Sequence, residues 1–503
     1  MDELAQARVE LTLLEEEERE LVEELLDVRA AIAMQRAKID ALSRSSLRPS
    51  TINYLPTEIL LVILDLDVHT HRPPELRKQT LASVCRRWRD VILQTPYFWS
   101  TIHVASATTS INTYLERSRG TLLDIVIECA PSSPSKHPAL IPGLDIAMAC
   151  AHRWRSLLIT TGDNSFRANP EEVGQKLLID FIADRINHLH FPCLKSVTIS
   201  SLCDVGHLSF LSIARAPALE HLELNKFMTI RDIPDPVAML KTLKLSFQAD
   251  SFIDYPPCWS LIRTQALSKL SLSGRTQSFS SQPNSLHFPS LMSLEMIRVA
   301  DTKSVLDAIV VPNLKQASFS QCDSPSVTLS GSRSKFTNVR QLSFTRCSNW
   351  DGLLHSHAIR FCEAFPGVHH VELDAEDWPY LFNPPSTPTE PGPNSHIQYP
   401  MDLWTELKGL TFKGLHSKWL EDDQPMAWLL HRRTLSLQQL HLKVNGSYYV
   451  KNAHQGAISA YKLLKENCIL ELDGFSSMDF PMPEDSSSRG VSSFHITTQR
   501  IWI

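Results

Sequence analysis

At 503 residues the chain is too long for one ordinary domain, and two or three folding units with a substantial core are expected. Apolar residues make up 43% and charged residues 21%, the balance of a folded soluble protein, and the formal net charge of -6 at pH 7 removes any general attraction to nucleic acid or anionic membranes. The ten cysteines, at 85, 129, 150, 193, 203, 258, 322, 347, 362 and 468, include no C-x-x-C pair and no Cys-His module, which argues against a disulfide framework and a zinc site and for reduced thiols.

The opening residues, MDELAQARVELTLLEEEE, are acidic and lack the basic-then-apolar order of a signal peptide. No apolar run approaches the ~20 residues that span a bilayer, so a cytoplasmic or nuclear location is expected. Residues 4 to 42 carry a heptad pattern. One seam position falls on Leu4, Leu11, Glu18, Leu25, Ile32 and Ile39, the other on Ala7, Leu14, Leu21, Val28, Gln35 and Leu42. Nine of the twelve are large and apolar, which predicts a coiled-coil helix over 1–43, stopped by the linker 44–51 with its serines and Pro49. A homodimer through residues 4–42 is one consequence. A single amphipathic helix packed back onto the body is the other.

Residues 52–102 hold two blocks. The first, Leu55-Pro56-x-Glu58-Ile59-Leu60 with an apolar tail to Leu64, reads as a helix start: Pro56 suits the first turn and Glu58 favours the N-terminal dipole. That helix is apolar on every face, more than a unit of this size can bury. The second, Val84-Cys85-Arg86-Arg87-Trp88-Arg89, predicts an amphipathic helix with Val84, Trp88, Val91 and Ile92 on one face and Arg86, Arg87, Arg89, Asp90 and Gln94 on a solvated one, ended by Pro96 ahead of Trp99. A loop from Val68 to Arg77, with Pro73 and Pro74, separates the blocks.

These two blocks, in this order, resemble an F-box. The interblock loop is several residues longer than is usual in that family. The resemblance implies an all-α segment that binds the Skp-type adaptor, and through it the cullin, of a ubiquitin ligase, while the rest of the chain captures a protein substrate. Leu55, Pro56, Ile59, Leu60, Cys85 and Trp88 match the pattern and are the implied adaptor-binding residues or their support.

Beyond residue 103 the pattern L-x-x-L-x-L recurs, with L any aliphatic residue or Phe. Examples are Leu194-Val197-Ile199, Leu219-Leu222-Leu224, Leu267-Leu270-Leu272 and Leu407-Leu410-Phe412, with weaker copies at Leu122-Ile125-Ile127 and Trp154-Leu157-Ile159. From Val197 to Leu342 the central positions recur every 21 to 27 residues, the period of leucine-rich repeats, and later intervals stretch to 39. Each copy predicts a short strand with two alternate apolar side chains inward, stacked in parallel into a continuous core over 103–480. Cys322, Cys347 and Asn445 occupy the ninth place of the longer consensus, where a small polar group satisfies turn backbone. The copies resemble the degenerate repeats of fungal F-box-like proteins. Alternation places Glu223, Lys244, Ser271, Glu295, Ser318, Ser343, Glu372, Thr411 and His441 on the outward, substrate-facing side of the strands. With strands ~4.8 Å apart, ten of them line ~50 Å, enough to hold a folded protein.

Residues 379–400 hold seven prolines and read as an irregular loop, and 481–503 as a tail whose last residues return as a strand. The pairs His69/His71, His355/His357 and His369/His370 lack the context of a metal site, and no nucleophile, base and oxyanion donors assemble. The expected fold class is α/β: an N-terminal coiled-coil helix, a small all-α F-box and an irregular leucine-rich-repeat-like solenoid with short parallel strands. The expected function is non-catalytic substrate recognition for an SCF-type ligase, without cofactor, metal, nucleic acid or membrane. The alternative is an F-box-like interaction scaffold without a role in ubiquitin transfer.

Overall fold

The computed structural model describes residues 3–46, 55–70, 74–129, 140–161, 178–204, 208–229, 239–247, 264–274, 282–322, 335–347, 355–374, 379–382, 399–413, 423–434, 440–445, 466 and 468–473. The chain divides into two units between Phe98 and Trp99.

The first unit opens on α1 (Glu3–Ser46), 44 residues without Gly or Pro and rich in Ala, Leu, Glu and Arg, all strong helix formers. Every described side chain along it is exposed, the large apolar ones included. After it come α2 (Thr57–Thr70), α3 (Pro74–Val84), α4 (Arg86–Gln94) and a 3-10 turn, Pro96–Trp99. Pro56 lies one place outside the first turn: its carbonyl accepts the Leu60 N–H at 3.0 Å, making it the cap of α2. The expected loop from Val68 to Arg77 is largely helical, because α2 runs on to Thr70 and Pro74 opens α3, as a proline at a helix start can. Arg77 closes this corner with a two-pronged ion pair to Asp67, at 2.5 and 2.7 Å.

The second block is broken where a single helix face was expected. Cys85 is extended, with φ -158° and ψ 169°, and its sulfur caps α4 by accepting the Trp88 N–H at 3.5 Å. Val84 therefore ends α3 and stands exposed, off the face of Trp88, Val91 and Ile92. Leu60, Leu64, Val68, Leu81, Ile92 and Phe98 are buried.

The second unit is built on a parallel sheet whose strands pair in chain order. They are β1 (Thr101–His103), β2 (Leu123–Cys129), β3 (Trp154–Thr161), β4 (Ser196–Asp204), β5 (His221–Thr229), β6 (Thr242–Phe247) and β7 (Lys269–Ser273), then β9 (Ser293–Ile297), β11 (Gln316–Ser320), β12 (Gln341–Thr345), β13 (His370–Asp374), β14 (Gly409–Lys413), β15 (Leu440–Asn445) and β16 (Cys468–Asp473). The short β8 (Leu286–His287) and β10 (Ile309–Val310) pair separately. Helices α5 (Thr108–Ser118), α6 (Ile141–Met148), α7 (Leu178–Ile186), α8 (Thr302–Ala308), α9 (His355–Ala364), α10 (Pro379–Phe382) and α11 (Asp423–Thr434) fall between strands.

The apolar repeat and the strand register coincide. Leu157, Val197, Leu222, Leu243, Leu270, Leu294, Ala317, Leu342, Val371, Leu410 and Leu442 pair in a single column across the sheet, and all are buried. At the entry to each rung one carbonyl accepts two successive N–H groups of the next: Lys195 from Glu220 and His221, Glu220 from Lys241 and Thr242, and onward to His369 from Lys408 and Gly409. In β2 the inward residues are Leu123, Ile125 and Ile127, so Leu123 and not the expected Leu122 begins the buried set. Trp99, from the second sequence block, is buried in this unit, edge-on to Tyr114 and beneath Arg117.

Behind the sheet, Phe361 of α9 is fully buried between Phe319, Phe344 and Phe365, at ring separations of 6.0, 5.6 and 4.8 Å. Cys322 and Cys347 fill the ninth place as anticipated from their chemistry: both are buried, and their thiols donate to the carbonyls of Met296 and Phe319 at 3.4 Å. The Asn445 side chain and the tail 481–503 lie outside the described residues. The proline-rich segment is not wholly irregular, since Pro379–Phe382 forms a helical turn and Pro400–Leu403 a 3-10 turn; 383–398 lie outside the described residues. Among the described residues no helix is long and apolar enough to cross a membrane, and no group of three or more His, Cys, Asp and Glu is placed to hold a metal.

Candidate protein-docking faces

A helix apolar all round must hide one side and leave another bare unless both are covered. In α2, Leu60, Leu64 and Val68, four residues apart, are sealed in the unit. Ile59, Val62, Ile63 and Leu66 occupy the opposite side at i, i+3, i+4 and i+7 and are 49, 65, 40 and 70% exposed. One exposed Leu is ordinary; a continuous stripe over two turns is a candidate docking surface, of the kind that suits a partner's apolar groove or helices.

Residues 52–105 match the F-box-like family model. The bare stripe lies inside that match, and an F-box-like segment is a protein-interaction module. No curated protein matches the chain.

Within the F-box-like segment the expected contact residues separate. Pro56 and Ile59 are exposed, and Leu55, Cys85 and Trp88 are half-buried. Leu60 has no exposed surface: it packs behind the stripe, in the supporting place and not at the contact itself. Val62, Ile63 and Leu66 were absent from the expected set, because in a helix apolar on every face spacing does not say which side is bare. The Arg86–Arg89 cluster is also more than a solvated face. Arg87 donates to the Leu55 carbonyl at 2.5 Å, and Arg89 Nε to the Ala82 carbonyl at 3.1 Å, tying α4 to the start of α2 and to α3. Arg87→Ala is expected to destabilise this segment by about 1–2 kcal/mol, the loss of a charge-assisted bond to a partly buried carbonyl, read as a lower midpoint in urea unfolding.

The sheet of the second unit offers a different surface. Glu223, Lys244, Ser271, Glu295, Ser318, Ser343, Glu372 and Thr411 pair neighbour to neighbour in one straight row on the side opposite the buried column. His441 belongs to the adjacent row, beside Gly409 and Ile469. Ser271 and Thr411 are almost sealed, at 5 and 4% exposure, because short side chains sink between longer neighbours; neither projects as expected. Charges pair along the row. Lys244 reaches Glu223 at 3.6 Å, Lys443 reaches Glu471 at 3.0 Å, and Glu372 pairs with Lys413 while accepting from the Ser343 hydroxyl at 3.0 Å. Between these pairs the surface carries hydroxyls and the Gln316–Gln341 amide contact, at 3.1 Å.

His370 lies in this surface, 3.0 Å from the Thr411 hydroxyl. Burial holds its imidazole below the ordinary histidine range, against the pull of Glu372 and with help from His441. A depressed histidine favours the neutral form, so the unfolded chain binds more protons just below pH ~6.5 and stability falls as pH is lowered through that value. His370→Gln is expected to flatten this part of the dependence; urea midpoints at pH 7.5 and 5.5 for both proteins measure it.

Proposed function

We propose that the chain is a substrate-recognition subunit of an SCF-type cullin ubiquitin ligase. The Skp-type adaptor packs on the F-box-like segment through Ile59, Val62, Ile63 and Leu66, with Pro56 and Leu55 at the edge. The observation that supports this most directly is the bare apolar stripe on a helix whose other side is sealed. The second unit serves as a leucine-rich-repeat-like solenoid whose polar strand face captures a protein target. Charge pairs there are partly exposed and contribute little affinity each, so they select register and partner more than they hold it. The chain carries no catalytic role in this reading. It holds the target near a ubiquitin-charged enzyme, which makes transfer effectively intramolecular. Self-association through α1 completes the proposal and presents two receptors in one assembly.

Affinity purification tests the reading. Wild-type chain is expected to co-purify with the adaptor and cullin, Leu55→Ala with Pro56→Ala to lose both, and targets to accumulate on the substituted protein because they are no longer consumed. Unchanged adaptor yield with the double substitution would contradict it.

A further inference from the structure

Resting on the self-association proposed above, we infer that α1 pairs with α1 of a second copy in the antiparallel orientation. All described side chains of this 44-residue helix are exposed, including Leu4, Leu11, Leu14, Leu21, Leu25, Val28, Ile32, Ile39 and Leu42 of the heptad seam. Five heptads of bare seam exceed the three to four that mark a coiled coil.

Charge selects the orientation. Glu3 to Asp27 hold ten acidic residues against Arg8 and Arg19, whereas Val28 to Leu42 hold Arg29, Arg36 and Lys38 against Asp40. Parallel pairing lays two acidic tracts side by side. It opposes Glu18 to its own copy within the seam and sets Glu10 against Glu15 on the flank, and the favourable pairs Glu3 with Arg8 and Glu24 with Arg29 do not offset this. Antiparallel pairing lays residues 4–18, with Glu10 and Glu15 to Glu18 against Arg8, on 28–42 of the second copy, with Arg29, Arg36 and Lys38 against Asp40; only the acidic middle, 19–27, still faces its own copy. Leu4 then meets Leu42, Ala7 meets Ile39, Leu14 meets Ile32 and Leu21 meets Leu25, large against small or large against large. Glu18 meets Val28 with Arg29 beside it, and Glu15 runs along the flank that carries Arg29 and Arg36 of the second copy. A rise of 1.5 Å per residue makes α1 a rod of ~66 Å. The F-box-like segments follow its C-terminal end, so this pairing sends the two of them off opposite ends of the rod; the parallel one would set them side by side.

Sedimentation equilibrium of the full-length chain tests this. The wild type is expected to dimerise at micromolar concentration. Glu15→Arg, and separately Arg29→Glu with Arg36→Glu, should each weaken the dimer about ten-fold, and mixing the two variants should restore wild-type affinity, because each supplies the charge the other lacks. A wild-type monomer at micromolar concentration would overturn self-association itself. A dimer that Glu15→Arg tightens would be parallel, since the introduced guanidinium would then face Glu10 of the second copy, and would overturn the orientation alone. A dimer indifferent to both variants would overturn α1 as its interface.

Discussion

Val62→Glu combined with Leu66→Glu is expected to abolish co-purification of the chain with a Skp-type adaptor while leaving its unfolding midpoint nearly unchanged. Both side chains are mostly in water, so the folded unit loses little, within about 0.5 kcal/mol for each substitution away from a packed feature. A complex loses far more. Two carboxylates driven into an apolar contact at the centre of an interface cost about 2–4 kcal/mol or more, at least ~30-fold in Kd. Leu60→Ala makes the contrast. Its side chain is sealed, so truncation should lower stability by about 2–5 kcal/mol and affect binding only through unfolding. Pull-down alone does not separate the two variants; pull-down with a urea melt does.

Phe361→Ala is expected to destabilise the second unit by about 3–5 kcal/mol and to leave adaptor binding intact. The ring is fully buried among Phe319, Phe344 and Phe365, which join α9 to β11 and β12, and its removal opens a cavity that three aromatic walls cannot close. Next to it, burial holds the Cys362 thiol well above its ordinary range. Thiol labelling of Cys362 should therefore be negligible in the native wild type at pH 8 and rapid in Phe361→Ala at urea concentrations the wild type survives. Adaptor binding lost together with stability would mean that the two units do not fold separately.

The strand pattern was legible in the sequence because parallel strands stacked in register repeat one physical demand. Each must offer two alternating apolar side chains, and Val197, Leu222, Leu243, Leu270, Leu294, Ala317 and Leu342 follow one another by 21 to 27 residues. Where the copy is irregular the pattern misleads by one residue, as at Leu122 and Leu123, because the register between β2 and β3 shifts at that strand's first residues. The outward face was legible as a row but not as a surface. Alternation places Ser271 and Thr411 outward, yet says nothing of the longer neighbours that cover them.

In the F-box-like segment the existence of an uncovered helix was legible from its composition alone. Which side is bare was not, because every position from Ile59 to Leu64 is apolar and periodicity carries no phase there. Position decides it: Leu60, Leu64 and Val68 face the unit, and Ile59, Val62, Ile63 and Leu66 are left over. The break at Cys85 was hidden for a related reason. The run from Val84 to Arg89 reads as one unbroken amphipathic helix, and the capping of Trp88 by Cys85 emerges only from the extended backbone.

The most direct test is calorimetric titration of the full-length chain with a purified Skp-type adaptor at several temperatures. Burial of the stripe predicts one-to-one binding per chain with a clearly negative heat-capacity change, both lost in the Val62→Glu, Leu66→Glu variant. Absence of binding by the folded wild type at micromolar concentrations, or binding that the variant retains undiminished, would contradict it.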